Sequence, residues 1–365
     1  MLKKLLFLLF FIAAAFFFTG AASAESVDYG TNEIYDALPE NARDFMDEHG
    51  VTPENGGSEY LDPTNVLSDI WQLFLESVSA PLKMFTSLLA VILLTSLLGG
   101  INGAAGSENS ALPLVSALIS AIIVSTYISG ILDTIGASVS AASDFTSVFV
   151  PVFAGIIAVS GQTATASVFT SVMLIVIQML MQITVQLLLP FAGLMLGVTA
   201  AGGLNSDLKI DKLGDGVKKV IIWALGLIMT VFIGILSLQS AISASADSIT
   251  LRAAKFAVSN GIPFVGGAVS DALATVKSSI ILLKSGVGSF GIIAGSCILL
   301  PVMIHALCYR LFLFLAGVVS EMFSTDKITG MIRCGENVVS ILIAVISCFY
   351  LFITISTALL MLLCR

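Results

Sequence analysis

Between Asp144 and Asp207 the chain runs for 62 residues, Phe145 to Ser206, without one Asp, Glu, Lys or Arg. A single membrane-crossing helix needs only ~20 apolar residues. As one helix the run would extend roughly 90 Å at ~1.5 Å per residue, about three times a hydrocarbon core, so it folds back or lies partly flat. The rest of the chain agrees: 57% of the 365 residues are hydrophobic, 11% are charged, and the mean hydropathy is +1.03, whereas soluble domains carry about 25% charged residues. The expected fold class is all-α, a polytopic helical membrane protein with six to eight transmembrane helices.

The first 24 residues read as a signal peptide. Lys3 and Lys4 precede an apolar run from Leu5 to Phe18, and Ala22-Ser23-Ala24 has the form of an A-x-A cleavage site. Because the run is long for a leader, an uncleaved anchor is the alternative. From Glu25 to Glu76 there are 13 acidic residues against a single Arg43. This acidic stretch, within a tail spanning 25–80, accounts for the net charge of −8, and the chain offers no basic stripe to a nucleic acid. On its own the tail buries too little to fold. Near its end Ile70, Trp71, Phe74, Leu75 and Val78 recur at helical spacing, which predicts a helix at the membrane surface with Trp71 as an interfacial anchor.

Residues 81–365 form the expected membrane domain. Six stretches are long enough to cross: Leu82 to Ile101, Ala111 to Leu132, Ser167 to Leu189, Val220 to Ile242, Gly286 to Leu307 and Val338 to Leu363. Three shorter ones, Phe145 to Ser160, Phe191 to Leu204 and Leu311 to Ser320, fit re-entrant or interfacial placement as well as crossing. Lys209, Lys212, Lys218 and Lys219 mark a cytoplasmic loop, with Arg310, Lys327 and Arg333 on the same side. The tail and Ser243 to Ser285 then fall on the opposite side, although the latter carries Arg252, Lys255, Lys277 and Lys284 against Asp247 and Asp271.

An internal echo links 111–204 with 220–320. Each stretch opens with a clear span, passes through a Ser/Ala-rich piece, and carries two prolines: Pro151 and Pro190 in the first, Pro263 and Pro301 in the second. A duplicated module inserted twice in the same direction explains the echo; chance similarity between apolar segments is the alternative. In the second copy Val269, Ala272, Leu273, Val276, Ile280 and Leu283 form one apolar stripe opposite Ser270, Asp271, Thr275 and Lys277, an amphipathic helix. Proline removes a helical donor, and broken helices of duplicated modules line many transport pathways. Pro151, Pro190, Pro263 and Pro301 are therefore candidate breaks, and Asp133, Asp144, Asp247, Asp271 and Arg310 candidate pathway charges. Asp133 and Asp144 share a helix face if the segment is helical. They also fit solvated loop acids, and Arg310 fits a snorkelling cation.

Catalytic signals are absent. His49 and His305 lack a helical Glu-x-x-His companion, no G-x-S-x-G or P-loop occurs, and the five cysteines lack C-x-x-C spacing and read as packing residues. No cofactor and no metal are expected. Gly99/Gly103, Gly193/Gly197 and Gly291/Gly295 are GxxxG pairs that serve helix packing within one chain or homo-oligomerisation.

The block LQSAISASADSITLRAAKFAVSNGIPFVGGAVSDALATVKSS, Leu238 to Ser279, together with the acidic N-terminal part and polytopic body, resembles the stage III sporulation protein AE family of endospore-forming bacteria. The resemblance implies a non-enzymatic membrane protein of the mother cell, part of a secretion-like complex that joins mother cell and forespore. The implied role is a permease or channel component beside other stage III membrane and ring-forming proteins, a secretion-type ATPase and a forespore-side partner. The implied location is the mother-cell membrane around the forespore, with the tail in the intermembrane space. A self-sufficient ion-coupled transporter and a purely structural scaffold are the rival classes.

Overall fold

The computed structural model describes residues 30–53, 56, 63–104, 111–202, 210–261 and 266–363, and among them it contains helices and no strand. Two short helices, α1 (Thr31–Asp36) and α2 (Glu40–Glu48), precede a set of very long ones: α3 (Pro63–Ala104), α4 (Leu112–Val159), α5 (Thr163–Gln182), α6 (Leu189–Gly202), α7 (Ile210–Gly261), α8 (Gly266–Met322) and α9 (Asp326–Leu363). A π-helical stretch, Ile183–Leu188, joins α5 to α6. Six helices are long and apolar enough to cross a membrane.

The segments left open by their length are end turns of these rods. Phe145 to Ser160 closes α4, Phe191 to Leu204 overlaps α6, and Leu311 to Ser320 lies within α8. The amphipathic piece around Asp271 belongs to the backbone of α8, and its stripe up to Ile280 lies outside the described side chains. Helix α4 ends where Gly161 takes φ 87°, and the N–H groups of Gly161 and Gln162 reach back to the carbonyls of Ala158 (3.0 Å) and Ile157 (3.3 Å). That left-handed stop satisfies the last carbonyls of the helix and turns the chain directly into α5. Helix α4 packs on α5, and α7 packs on α8.

Helices α8 and α9 make the centre of the bundle. Of their most apolar stretches 83% and 78% is buried, against 17% to 39% for the other four. Glycines let neighbours close on α8: a Cβ on Gly288 would meet Met361 Sδ at 2.6 Å, one on Gly291 would meet Phe149 Cζ at 2.3 Å, and one on Gly295 would meet Ile353 Cγ2 at 3.1 Å. The Gly291/Gly295 pair thus serves internal packing, while Gly193 and Gly197 face open space. Phe145, Phe149 and Phe153 stack in series along α4, with centroids 5.6 and 5.2 Å apart, and Phe232 of α7 lies 4.6 Å from Phe352 of α9.

The acidic tail docks on this bundle. Ile34, Leu38, Ala42, Met46 and Val51 are buried, Gly30 rests beside Val152 of α4, and Tyr35 lies 6.5 Å from Phe290 of α8. Burial, and then the hydrogen bond that Tyr35 donates to Asp47, push the phenol up to about 12, so it stays a donor at neutral pH. His49 bridges to Asp69 of α3 at 3.1 Å. Gly56, at φ 64°, sits so close to Gly286 that a Cβ would fall 2.8 Å from its Cα; only glycine fits there. The surface helix predicted around Trp71 is the first part of α3, which continues through Pro81.

Contacts also set the axial register. Phe85 of α3 meets Phe312 of α8 at 5.6 Å, and Val124 and Ile128 of α4 lie against Gly335 of α9. The first two spans read from sequence therefore run beside the turns of α8 beyond Arg310, while the other four run beside one another between Lys284 and Arg310. The two apolar sets are displaced along the bundle by about the length of one span.

Candidate functional site

Asp247 forms the most fully built polar contact of the bundle. Its side chain is buried at 4% exposure and accepts from the N–H groups of Ala164 (3.0 Å) and Thr165 (2.9 Å) and from Thr165 Oγ1 (2.7 Å). Helix α5 has no cap from its own neighbour Gln162; α7 supplies one across the bundle, 82 residues away in sequence. A carboxylate at a helix N-terminus meets free amides and the positive end of the helix dipole, so the clamp ties α7 to the start of α5.

At the other end of the four shared spans a polar layer crosses the bundle. Asn337 of α9 donates to Asp215 at 2.9 Å and accepts from Lys218 Nζ at 3.0 Å, and Arg310 Nε lies 3.9 Å from Glu336. Arg310 is thus a partly buried, paired cation at the end of the apolar stretch. Lys284 to Arg310 on α8 and Lys219 to Asp247 on α7 each extend about 40 Å at ~1.5 Å per residue.

Between these layers the surface has two different sides. Helices α5 to α7 and the π-helical stretch expose Ile175, Leu187, Leu194, Leu227, Val231 and Ile235, with Trp223 exposed above Lys219 and with Ser171, Gln178, Gln182 and Gln186 exposed among them. On α4 the exposed positions from Thr126 to Gly155 are Thr126, Ser129, Gly130, Asp133, Thr134, Ala137, Asp144, Pro151 and Gly155, and no large apolar side chain is exposed between Ile122 and Val159. On α3, Ser68, Gln72, Glu76, Ser79 and Lys83 are exposed at helical spacing, beside a second stripe of Leu67, Trp71, Leu75 and Leu82. Among the described residues Asp133, Asp144 and Glu76 enter no ion pair.

The prolines differ from one another. Helices α4 and α8 continue through Pro151 and Pro301. Pro190 lies two residues past the end of the π-helical stretch, where a widened turn accommodates the carbonyl that proline cannot pair. Pro263 and the side chain of Asp271 lie outside the described residues. Asp133, Asp144 and Pro151 share the exposed face of α4, whereas Asp247 and Arg310 belong to the two end layers. Thr165, Asn337 and Glu336 escape a sequence reading, because each is one ordinary polar residue in an apolar helix and gains its partner only through tertiary register.

No cluster of His, Cys, Asp or Glu that could hold a metal occurs among the described residues. Cys297, Cys308, Cys334 and Cys348 are free thiols, three of them buried, and His305 lies edge-on to Tyr309 at 5.1 Å.

Residues 50–362 match the family profile of stage III sporulation protein AE. The chain is 32% identical over 139 residues to the stage III sporulation protein AE of Bacillus subtilis (strain 168), a segment covering 38% of this chain and 35% of that relative. No solved structure matches the chain. With a profile match over most of its length, the chain belongs to the stage III sporulation protein AE family, whose members act in spore development.

Proposed function

We propose that the chain is the membrane permease or channel component of a complex joining mother cell to forespore, needed for spore development after engulfment. The observation that carries this reading is the two-sided bundle. At one axial level α7 exposes Leu227, Val231 and Ile235, whereas α4 exposes Asp133, Ala137 and Asp144 and no large apolar side chain. A carboxylate facing lipid at mid-depth costs about 3 kcal/mol on insertion scales, and more in simulation. The α4 face is therefore turned to water or to protein, while Trp223 above Lys218 and Lys219 has the pattern of an interfacial edge. The displaced apolar band of α3, α4 and α8, with Leu97, Ile122 and Leu315 exposed, exceeds what one bilayer level covers in an upright bundle. A surface of that kind fits a subunit built to have partners.

In this reading the docked tail lies between the two membranes, Lys212 to Lys219 face the mother-cell cytoplasm, and ring-forming proteins, a secretion-type ATPase and a forespore-side protein complete the assembly. Replacing the chain by a null allele in a sporulating host is expected to leave vegetative growth unchanged, to stop development after engulfment, and to abolish delivery of a small fluorescent solute from mother cell to forespore. Arrested development with normal solute delivery would contradict a channel and leave a scaffold.

A further inference from the structure

Two uncharged runs, 84–107 and 109–132, hold 24 residues each, and either alone is long enough to cross a hydrocarbon core. Their helical parts, in α3 and α4, form an apolar finger beside the last turns of α8, where Leu94, Leu97, Val115, Ile122 and Leu315 are exposed. An upright bundle leaves one apolar set in water. With the bilayer between Lys284 and Arg310 that set is the finger; with the bilayer around the finger it is the Leu227, Val231 and Ile235 side of α7. The two sets also face different ways. Helix α3 packs on α4 and α8, and α7 packs on α5 and α9, so the α8–α9 core lies between them.

We propose that acyl chains of a single bilayer cover both sets, because the bundle axis leans roughly 50° from the membrane normal. The angle follows from a displacement of about 35 Å, at ~1.5 Å per residue, across a bundle of three helix layers roughly 30 Å wide. Ordinary spans lean ~20° and seldom beyond ~40°. Of the two possible covers for the finger, lipid or a partner chain, the placement of charge favours lipid. The lean lifts Glu76, Asp133 and Asp144 out of the hydrocarbon on the side of the docked tail, and lowers Lys218 and Lys219 to the opposite surface. Lys83, near the rim, reaches outward along its stem, and Arg310 stays beside Glu336. The first turns of α3 then emerge along the membrane surface, which suits a helix with Leu67, Trp71 and Leu75 on one stripe and Ser68, Gln72 and Glu76 on the next. Thr126, Gln182 and Gln186, exposed at hydrocarbon depth, carry no charge. No upright position sorts the charges this way, since covering the α7 side also places Asp133 and Asp144 at hydrocarbon depth. The lean is independent of the channel reading, which needs only that the α4 face meets water or protein.

The test uses the full chain in bilayers of phosphatidylcholine brominated on its acyl chains, whose bromines quench tryptophan within the hydrocarbon. The two native tryptophans, Trp71 and Trp223, are replaced by Phe, and one indole at a time is introduced by Leu97→Trp, Leu315→Trp, Leu227→Trp or Ala137→Trp, all at exposed positions. Fluorescence at 97, 315 and 227 is expected to be lost to a similar extent, and that at 137 to persist. Quenching at 227 with none at 97 and 315 would overturn the proposal and make the finger a face for a protein partner. The reverse pattern, or quenching at 137, would overturn it as well. Leu94→Trp repeats the finger measurement if Leu97→Trp fails to accumulate. Polarised infrared spectra of oriented bilayers give a second readout: helices at this lean show almost no amide dichroism, and a strong dichroism along the normal would overturn the lean. Solute delivery to the forespore is measured separately, so an upright bundle with delivery intact removes the lean and not the channel.

Discussion

Asp247→Ala is expected to destabilise the chain by about 3 kcal/mol, because it leaves one buried amide, one half-buried amide and a hydroxyl without an acceptor. The amides are those of Ala164 and Thr165 and the hydroxyl is that of Thr165, in a site that excludes water, as the 4% exposure of Asp247 shows. Asp247→Asn keeps one acceptor oxygen and should lose roughly half as much. Thr165→Val, which removes only the hydroxyl, should cost about 1 kcal/mol. The check is thermal unfolding of the detergent-purified chain, with the double variant Asp247→Ala/Thr165→Val closing the cycle. Since both residues belong to one contact, their losses should fall short of adding. Full additivity would mean that the clamp contributes nothing as a unit.

Gly291→Val should be at least as damaging, about 3 kcal/mol or more, through overpacking. A Cβ at 291 would meet Phe149 Cζ at 2.3 Å and Cε2 at 2.4 Å, and the ring cannot give way because Phe145 and Phe153 stack on either side of it. The milder Gly291→Ala should be rescued in large part by Phe149→Leu, which opens room at the added methyl, although Phe149→Leu alone leaves a cavity. Membrane levels of the four proteins and their unfolding midpoints distinguish this from a general intolerance of the helix. If Gly291→Ala were harmless alone, the close approach of α4 to α8 would be wrong. Gly193→Ala, in open space, serves as the neutral comparison within the monomer.

Much of the architecture was legible because lipid imposes a simple rule on sequence: uncharged runs become helices. The six apolar helices follow from hydropathy. What hydropathy does not encode is register. Leu82 to Ile101 and Val220 to Ile242 look alike as spans, yet they lie at different levels, because their depth is set by matches such as Phe85 with Phe312 and Gly291 with Phe149 between distant parts of the chain. The same holds for the tail. Composition makes it an unfolded acidic segment, and only the groove beside Phe290 and Val152 gives Ile34 and Met46 something to bury against.

Of the candidate charges, the pairing of Asp133 with Asp144 on one face came from helical spacing alone and needed no tertiary information. Asp247 stood out only as an acid in a Ser/Ala-rich piece, and its role as a cap depends on Thr165, on another helix. Pro151 and Pro301 sit inside continuous helices, and the disturbed stretch before Pro190 is a π-turn, which hydropathy and proline spacing alone do not distinguish from a break.

The account stands on a bundle that shows lipid one side and water the other at a single axial level. Nitroxide labels at Ala137→Cys and Leu227→Cys, in the complex reconstituted into bilayers, report this directly through their collisions with oxygen and with a water-soluble nickel chelate. The label on α4 should collide preferentially with the nickel chelate and the label on α7 preferentially with oxygen. An oxygen-dominated label at position 137, matching that at 227, would contradict it.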